Sequence, residues 1–293
     1  MNSNLSVAFI GLGQMGFPMA MSLLRANIEV HVYDLAAAEN IKSAKNAGAI
    51  HEDSLEKLAS SAMFIITMLP SGEVLRDILF GEPNLKSFIR PGSILLDMST
   101  SNPKHTQSTH AELASLNISM MDAPVMGGVA FAKDASLDFL VGGDKGLIEK
   151  CRPIFDAIGR SVTHCGPIGS GHALKALTNY VNAAAMMTAV EAISIGRAFG
   201  MDEDVMSKSL TETCTGRNHP IVKKVIPKIL TRSYDSGMAI GLLEKDLKIA
   251  ADIALQTHSE HPLLDESLEI LSEMVQSIGA SKDQTEIAKY WRK

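Results

Sequence analysis

Residues 7–34, VAFIGLGQMGFPMAMSLLRANIEVHVYD, decide the fold of this chain. Residues 7–10 form a short apolar run, which is typical of a buried strand. A glycine-rich turn and an apolar helical stretch come next, and a second strand-like run, Glu29–Tyr33, leads to Asp34. Strand, turn, helix and strand in this order predict the βαβ unit of a parallel sheet.

Gly11, Gly13 and Gly16 stand in that turn at the spacing of a dinucleotide-binding motif. The first glycine permits a tight turn, the second lets the backbone approach a pyrophosphate, and the third lets the helix pack against the strand. The N-terminus of the helix offers free N–H groups and a partial positive charge to the phosphates. Because the glycines occur between a strand and a helix, we expect a dinucleotide site; the alternative is a turn without a ligand.

Asp34 lies 18 residues after Gly16, where a carboxylate can accept a hydrogen bond from a ribose 2′-hydroxyl. A carboxylate also repels the 2′-phosphate of NADP, and residues 35–39 include no basic side chain. The sequence therefore predicts NAD as the cofactor. The alternative is that Asp34 is a solvated acid in a loop.

Composition restricts the class of protein. The chain has 293 residues, enough for two domains with an ample core, and a net charge of −6, which gives no electrostatic case for nucleic acid as a partner. Cys151, Cys165 and Cys214 form neither a CxxC motif nor a metal-ligand pattern, so we expect no metal and a reducing compartment. We expect no signal peptide, and no apolar run reaches the roughly 18 residues of a membrane span. These features predict a cytoplasmic protein without membrane contact.

Strand-like and helix-like segments alternate as far as residue 164, which predicts a mainly parallel, doubly wound sheet. The predicted strands are residues 7–10, 29–33, 64–69, 93–97, 119–122, 137–141 and 161–164, and residues 48–50 are a brief strand or a turn. The predicted helices beyond residue 34 in this half are residues 41–47, 54–59, 73–79, 105–116 and 147–158.

The pattern changes after residue 166. Residues 172–199 form an apolar, alanine-rich stretch without proline, and a helix of that length would span about 40 Å, too long for a crossover between strands. Only helical patterns follow, at residues 203–213, 222–230, 238–257 and 262–278. The predicted fold class is α/β, with an N-terminal Rossmann-type doubly wound parallel sheet followed by an all-α domain with a long interdomain helix. We expect an NAD-binding Rossmann domain over residues 1–166 and an all-helical substrate and oligomerisation domain over residues 167–293.

Lys175 and Asn179 are four residues apart near the start of the long helical stretch, so they share a helix face. Lys175 stands among apolar residues, and a lysine near apolar surface can have its pKa lowered enough for acid–base chemistry. The alternative is a solvated lysine whose aliphatic stem covers a core helix.

Three further residues lie at or just beyond the ends of predicted strands. Leu69 and Pro70 end one strand, and Thr100 follows the next strand; ligands of doubly wound sheets lie beyond such carboxyl ends. Thr100 could therefore reach the cofactor. The alternative is that Thr100 caps the helix that begins near Asn102.

Gly127 and Gly128 come after the strand that ends at Asp122, where paired glycines let backbone N–H groups approach an anion such as a carboxylate; the alternative is a simple turn. Lys245 stands next to Asp246 in a helical stretch of mixed charge. Taken alone, that pattern favours a pair of charges on the surface of an amphipathic helix.

Four motifs in order along nearly the whole chain resemble those of the β-hydroxyacid dehydrogenase family. GLGQMGFPMA, residues 11–20, is similar to the cofactor loop of the family, and DAPVMGG, residues 122–128, is similar to its substrate-binding segment. GSGHALKALTNY, residues 169–180, resembles its catalytic segment, and KDLKIA, residues 245–250, its cofactor-closing segment. Four ordered motifs are far more specific than any single one.

The resemblance implies a role for individual residues. Lys175 is implied to be the catalytic lysine, and Asn179 a catalytic amide that orients the substrate. The implied cofactor-binding residues are Gly11, Leu12, Gly13, Gln14, Met15, Gly16, Asp34, Leu69, Pro70, Thr100 and Lys245. The implied substrate-binding residues are Met126, Gly127, Gly128, Asn179 and Lys245, with the two glycines holding the acid group through backbone N–H.

The sequence departs from the family at three places. Met126 stands where a serine is usual, which removes one hydroxyl donor from the substrate segment. Ala135 and Ser136 replace the usual glycine and threonine, and Thr178 replaces the first of two adjacent asparagines.

The implied activity is transfer of a hydride between NAD and a β-hydroxyacid or similar hydroxy-anion and its aldehyde or ketone. The substrate would resemble 3-hydroxyisobutyrate, tartronate semialdehyde or sulfolactaldehyde. One alternative is an imine reductase, a class that usually has another residue at the position of Lys175. The other alternative is a non-catalytic NAD-binding sensor that a partner protein recognises.

The resemblance also implies a homodimer or homotetramer built through the helical domain. The pattern of the long helical stretch favours the same conclusion, because Met186, Met187, Val190, Ile193 and Ile195 cannot all point one way on a 3.6-residue period. The alternative is a monomer whose later helices alone surround this helix.

Overall fold

The computed structural model describes residues 5–82, 84–216, 219–256 and 258–291. The chain divides into two compact units, Met1–Tyr180 and Val181–Lys293. The division between these units falls inside a helix, beyond the predicted boundary at residue 166.

The described part of the first unit holds nine strands in one sheet, ordered β3-β2-β1-β4-β5-β6-β8-β7, with β9 beside β8. The strands are β1 (Ser6–Ile10), β2 (Glu29–Tyr33), β3 (Ile50–His51), β4 (Phe64–Thr67), β5 (Ile94–Asp97), β6 (Ser119–Asp122), β7 (Val125–Met126), β8 (Leu137–Gly142) and β9 (Gly159–Gly166). Strands β1 to β6 pair in parallel, whereas β8 runs antiparallel to β6 and β7. The order reverses at β1, as in doubly wound folds, and the predicted fold class is confirmed.

Helices connect these strands. They are α1 (Gly16–Arg25), α2 (Ala38–Asn46), α3 (Leu55–Ser61), α4 (Gly72–Phe80), α5 (Pro103–Ala114), α6 (Gly128–Lys133), α7 (Lys145–Lys150) and α8 (Arg152–Ile158), with a 3₁₀ turn at Leu85–Ser87. Three of these helices begin with a side-chain cap. Backbone N–H groups in the first turns of α3, α4 and α5 donate to the hydroxyl of Ser54, the hydroxyl of Ser71 and the amide oxygen of Asn102, respectively.

Two of the differences from the sequence predictions have a clear local cause. The single helix predicted over residues 147–158 is two helices, because Pro153 has no N–H to donate to the preceding turn and instead occupies the first turn of α8. The short strand β7 and the helix α6 were not predicted, since Gly127 and Gly128 suggested only a turn or an anion-binding loop.

The sheet is covered on both faces. Val7 and Phe9 of β1 belong to one apolar cluster, and Ala8 and Ile10 belong to another. Successive side chains of a strand point to opposite faces, so β1 contributes to both clusters. This burial fixes the carboxyl ends of β1, β4, β5 and β6, from which the candidate site is built.

The second unit is helical. Its main elements are the part of α9 (Ser170–Ala198) beyond residue 180, α10 (Glu203–Cys214), a π-helix at Ile221–Ile229, α11 (Ile240–Gln256), α12 (Pro262–Ile278) and a 3₁₀ helix at Gln284–Trp291. The π-helix contains Pro227, whose missing N–H disfavours a regular α-helix there. In the described ranges, none of the helices combines the length and apolar character that a membrane crossing requires.

Candidate functional site

A hollow of about 660 Å³ lies beyond the carboxyl ends of β1 and β4. The reversal of strand order places it at the point where doubly wound sheets bind ligands. The predicted cofactor residues that line it are Gly11, Gly13, Gln14, Met15, Gly16, Asp34, Leu69 and Pro70. The structure therefore gathers most of the predicted cofactor residues of the first unit around one hollow.

The glycines of the first turn fit a dinucleotide. Gly11 has φ +98°, and a Cβ there would collide with the Met68 carbonyl oxygen. A Cβ on Gly16 would collide with the Gly11 carbonyl oxygen, so the helix and strand could not pack as they do. A Cβ on Gly13 would meet nothing within 4 Å, which leaves the backbone at Gly13 open toward a ligand.

Asp34 ties the glycine turn to the end of β2. Its carboxylate accepts hydrogen bonds from the backbone N–H of Leu12 at 2.6 Å, Ala36 at 2.7 Å and Ala37 at 2.8 Å. A carboxylate has about four acceptor positions, so one remains for a ribose hydroxyl. Asn40, which the sequence reasoning missed, donates to the Leu12 carbonyl at 2.7 Å and holds the same turn from α2.

The loops after β4 and β5 are joined to each other. The backbone N–H of Leu69 donates to the Ser99 hydroxyl at 2.9 Å, and Ser99 is buried. Thr100 is exposed immediately after it and is not among the residues that line the hollow. Asn102, not Thr100, caps α5 by accepting from the Lys104 N–H at 2.9 Å, so the alternative role of Thr100 as the cap is wrong.

Lys175 is partly buried near the start of α9. Its Nζ donates to the Val125 carbonyl at 2.8 Å and lies 3.2 Å from the Met126 thioether sulfur. Burial lowers the pKa of Lys175, because the protonated form loses hydration. The structure thus brings together the lysine of one predicted motif and the DAPVMGG segment of another.

The glycine pair continues this segment. Gly127 and Gly128 have φ values of +120° and +77° and are exposed. A Cβ on Gly127 would lie 2.7 Å from the Cβ of Phe131, so packing as well as backbone conformation requires glycine there. Because Met126 touches Lys175, the exposed glycine backbone begins one residue from a Lys175 contact.

The start of α9 is anchored to the end of β6. One carboxylate oxygen of Asp122 accepts the Gly169 N–H at 2.7 Å, and the other accepts the His172 N–H at 2.8 Å. Gly171 lies so close to the sheet that a Cβ would collide with the Leu140 carbonyl oxygen. These contacts explain why the GSG sequence precedes the lysine.

The remaining predicted residues are less informative. Asn179 is exposed one turn beyond Lys175. Lys245 belongs to α11 in the second unit, and its side chain and that of Asp246 lie outside the described residues. Across the ranges that the structure describes, no three His, Cys, Asp or Glu side chains converge as metal ligands would.

Two family descriptions match the chain. One is the NAD binding domain of 6-phosphogluconate dehydrogenase, over residues 6–166, and the other is the NAD-binding of NADP-dependent 3-hydroxyisobutyrate dehydrogenase, over residues 169–291. The four motifs therefore belong to two matched segments that together span nearly the whole chain.

Individual relatives are similar over most of their lengths. The NAD-dependent L-serine dehydrogenase of Pseudomonas aeruginosa is 32% identical over 97% of this chain and 96% of its own. The 3-sulfolactaldehyde reductase of Escherichia coli is 35% identical over 92% of this chain and 89% of its own. A structure of the Mycobacterium tuberculosis 3-hydroxyisobutyrate dehydrogenase with L-serine covers 99% of both chains, with 28% identity and a TM-score of 0.68. The chain therefore belongs to the β-hydroxyacid dehydrogenase family and is an NAD(P)-dependent oxidoreductase of β-hydroxyacids.

Proposed function

We propose that the chain uses NAD to interconvert a small β-hydroxyacid, or a similar hydroxy-anion, and its aldehyde or ketone. The observation that carries the proposal is the position of Lys175, whose Nζ is partly buried against Val125 and Met126. An amine held there, next to exposed glycine backbone, can exchange a proton with a substrate oxygen.

Lys175 has two tasks in this reaction. In oxidation its neutral amine accepts the hydroxyl proton of the substrate, and in reduction its ammonium group returns that proton. The ammonium charge also stabilises the alkoxide that develops on the substrate. The bound nicotinamide supplies the hydride chemistry at the carbinol carbon. Asn179, on the same helix face, orients the substrate.

The acid group of the substrate binds the backbone N–H groups of Gly127 and Gly128. Met126 borders this group with a thioether, which cannot donate a hydrogen bond, so the backbone donors carry more of the anion binding than they would beside a serine. Candidate substrates resemble 3-hydroxyisobutyrate, tartronate semialdehyde or sulfolactaldehyde, and the serine dehydrogenase relative adds L-serine. We also retain Lys245 as a proposed contact of cofactor and substrate.

NAD is the proposed cofactor, and acidic side chains support this choice. Asp34 lines the dinucleotide hollow with its carboxylate held by three backbone N–H groups. An adjoining hollow, which shares Tyr33 and Leu35 with the first, is lined by four more carboxylates. Three of them belong to Glu56, Asp77 and Glu82, and the fourth belongs to Asp53, whose charge is offset by Lys57 at 2.8 Å. The negative charge of Asp34 and of the carboxylates in the adjoining hollow disfavours binding of the negatively charged 2′-phosphate of NADP. The remaining proposed cofactor contacts are Gly11, Leu12, Gly13, Gln14, Met15, Gly16, Leu69, Pro70 and Thr100.

We propose domain bounds of 1–166 for the NAD-binding domain and 167–293 for the helical domain. The matched family segments, 6–166 and 169–291, support these bounds. The contact-based division at Tyr180 differs because the first turns of α9 pack on the sheet through Asp122. The proposed compartment is the cytoplasm, where the exposed thiol of Cys214 would stay reduced.

The proposed assembly is a homodimer or homotetramer built through residues after 166. Apolar side chains along α9 remain exposed in the single chain, among them Leu177, Val181, Met187 and Val190. This number of exposed apolar residues favours burial against a second copy.

A substrate panel tests the proposed function. Purified protein is assayed with NAD and with NADP against 3-hydroxyisobutyrate, L-serine and the hydroxyacid forms of tartronate semialdehyde and sulfolactaldehyde. We expect at least one substrate to be oxidised with NAD. Binding of NAD without turnover across the panel would favour a sensor, and turnover of cyclic imines but not hydroxyacids would favour an imine reductase.

A further inference from the structure

A cluster of polar side chains lies fully buried at the carboxyl ends of β4, β5 and β6. It contains two carboxylates and an imidazole that the proposed reaction does not use. Its members are Thr67, Asp97, Ser99, Asp122 and His172, each with no exposed surface. Buried polar groups are costly unless they are paired, so the geometry of this cluster is informative.

His172 is bonded on both sides of its ring. Its Nδ1 lies 2.7 Å from the Thr106 hydroxyl on α5, and its Nε2 lies 3.1 Å from the Ser99 carbonyl oxygen. A carbonyl can only accept, so Nε2 carries a proton. The backbone N–H of His172 donates to Asp122, which places the start of α9 against β6.

These bonds form a continuous path from the dinucleotide hollow to the lysine. The Leu69 N–H donates to the Ser99 hydroxyl, and the Ser99 carbonyl accepts from His172. His172 precedes Lys175 by three residues, about one turn of α9. Resting on the proposed function, we propose that His172 is a positioning residue that couples the cofactor loop at Leu69 and Ser99 to the placement of Lys175.

The surroundings leave the imidazole little freedom. Asp97 Oδ2, which has no hydrogen-bond partner among the described residues, lies 3.9 Å from His172 Nε2. Asp122 Oδ2 lies 4.0 Å from Nδ1 on the other side. Gly171 contacts the sheet backbone so closely that α9 cannot shift toward it. A side chain at residue 172 that lost the bond to Ser99 would leave a buried carbonyl unpaired and release the loop from the helix.

The test compares His172→Leu with His172→Gln. Leucine removes both ring bonds, whereas a glutamine amide can still donate to the Ser99 carbonyl and accept from Thr106. His164→Leu is the matched control, because His164 also bonds a backbone carbonyl, that of Gly143 at 3.0 Å, but lies exposed on β9.

Two readouts need no turnover. The first is the NAD dissociation constant by calorimetry, which should rise roughly fivefold in His172→Leu because the Leu69 loop is no longer held. The second is the pKa of the Lys175 amine by NMR of ¹³C-labelled lysine, assigned with Lys175→Arg. That pKa should rise toward its ordinary value as α9 loosens and Lys175 gains hydration. Both quantities should stay near wild type in His172→Gln and His164→Leu.

A folded His172→Leu protein with either readout unchanged would overturn the coupling, because coupling requires both to move. A His172→Gln protein whose NAD dissociation constant and Lys175 pKa change as much as those of His172→Leu would also overturn the coupling. If His172→Leu does not fold, Ser99→Ala, which removes the acceptor of the Leu69 N–H, decides: movement of both readouts in the same directions supports the proposal, and any other result overturns it. Wild-type protein that binds NAD but oxidises no hydroxyacid would refute the proposed function alone.

Discussion

The two compact units bury their apolar residues to different degrees. In the first unit, β5 is buried along its whole length, and β1 contributes to a cluster on each face of the sheet. In the second, the described buried cluster consists of Ile240, Leu271 and Met274, while Val190 on α9 is 63% exposed. The first unit buries its apolar strands on both faces, whereas the second leaves apolar side chains of α9 exposed, which the proposed oligomer would bury.

We expect this difference in burial to give the two units different roles. The first unit positions the residues of the proposed site, and the second forms the proposed oligomer interface. A sheet covered on both faces holds the loops at its strand ends rigidly, and the dinucleotide hollow and Lys175 both depend on such loops. Variants at the strand-end loops and at Lys175 in the first unit should therefore change chemistry and cofactor choice, and variants at exposed apolar residues of the second, such as Val190, should change assembly without disturbing the NAD site.

The largest expected effect is that of Lys175→Ala. Loss of the proton-exchanging amine should lower kcat by about a thousandfold, while NAD affinity and the circular dichroism spectrum stay near wild type. Lys150→Ala, at an exposed lysine in the same unit, should keep wild-type turnover. Turnover of folded Lys175→Ala within about tenfold of wild type would refute the proposed role.

The pH dependence of the oxidation rate should report the ionisation of Lys175. Lys175 must be neutral to accept a proton, so kcat/KM for oxidation should rise about tenfold per pH unit until the pKa of Lys175 is passed, and then level off. Burial lowers that pKa, so the plateau should begin below the pH expected for an exposed lysine. Reduction, which needs the ammonium form, should decline over the same range; a profile of the opposite sign would contradict this assignment.

Cofactor choice should depend on Asp34. We expect kcat/KM to favour NAD over NADP by at least about tenfold, or about 1.4 kcal/mol, and Asp34→Ser to narrow that ratio. Asp156→Ser, at an exposed acid of α8, should leave the ratio unchanged. Equal use of both cofactors by wild type would mean that Asp34 does not contact the adenosine ribose.

The smallest effect concerns the second unit. Wild type should scatter light at micromolar concentration with the mass of two or four chains, and Val190→Glu should reduce that mass while leaving the NAD dissociation constant unchanged, because a buried charge disfavours an apolar interface. Leu116→Glu, at an exposed apolar residue of the first unit, is the control and should keep the wild-type mass. A wild-type mass near 31.4 kDa would refute the oligomer.

Several elements were predictable to the residue. The bounds of β2, β6 and α12 are those that the apolar pattern indicates, because periodic burial and helix-start signals act over a few residues. The two-residue strand β7 could not be predicted from the sequence. Val125 and Met126 form a strand only because they pair with Phe139 and Asp138 of β8. Such pairing joins residues that no local pattern relates.

By itself, the sequence determined the βαβ opening, the change from alternating strands to helices, the glycine turn and the motifs that hold Asp34 and Lys175. Each of these depends on spacing within a short segment. Only the tertiary structure decided that Lys175 meets Val125, 50 residues away, and that His172 meets Ser99, 73 residues away. Contacts between residues so distant in the chain arise when whole strands and helices pack together, and the free energy of that packing belongs to the complete core rather than to any one segment.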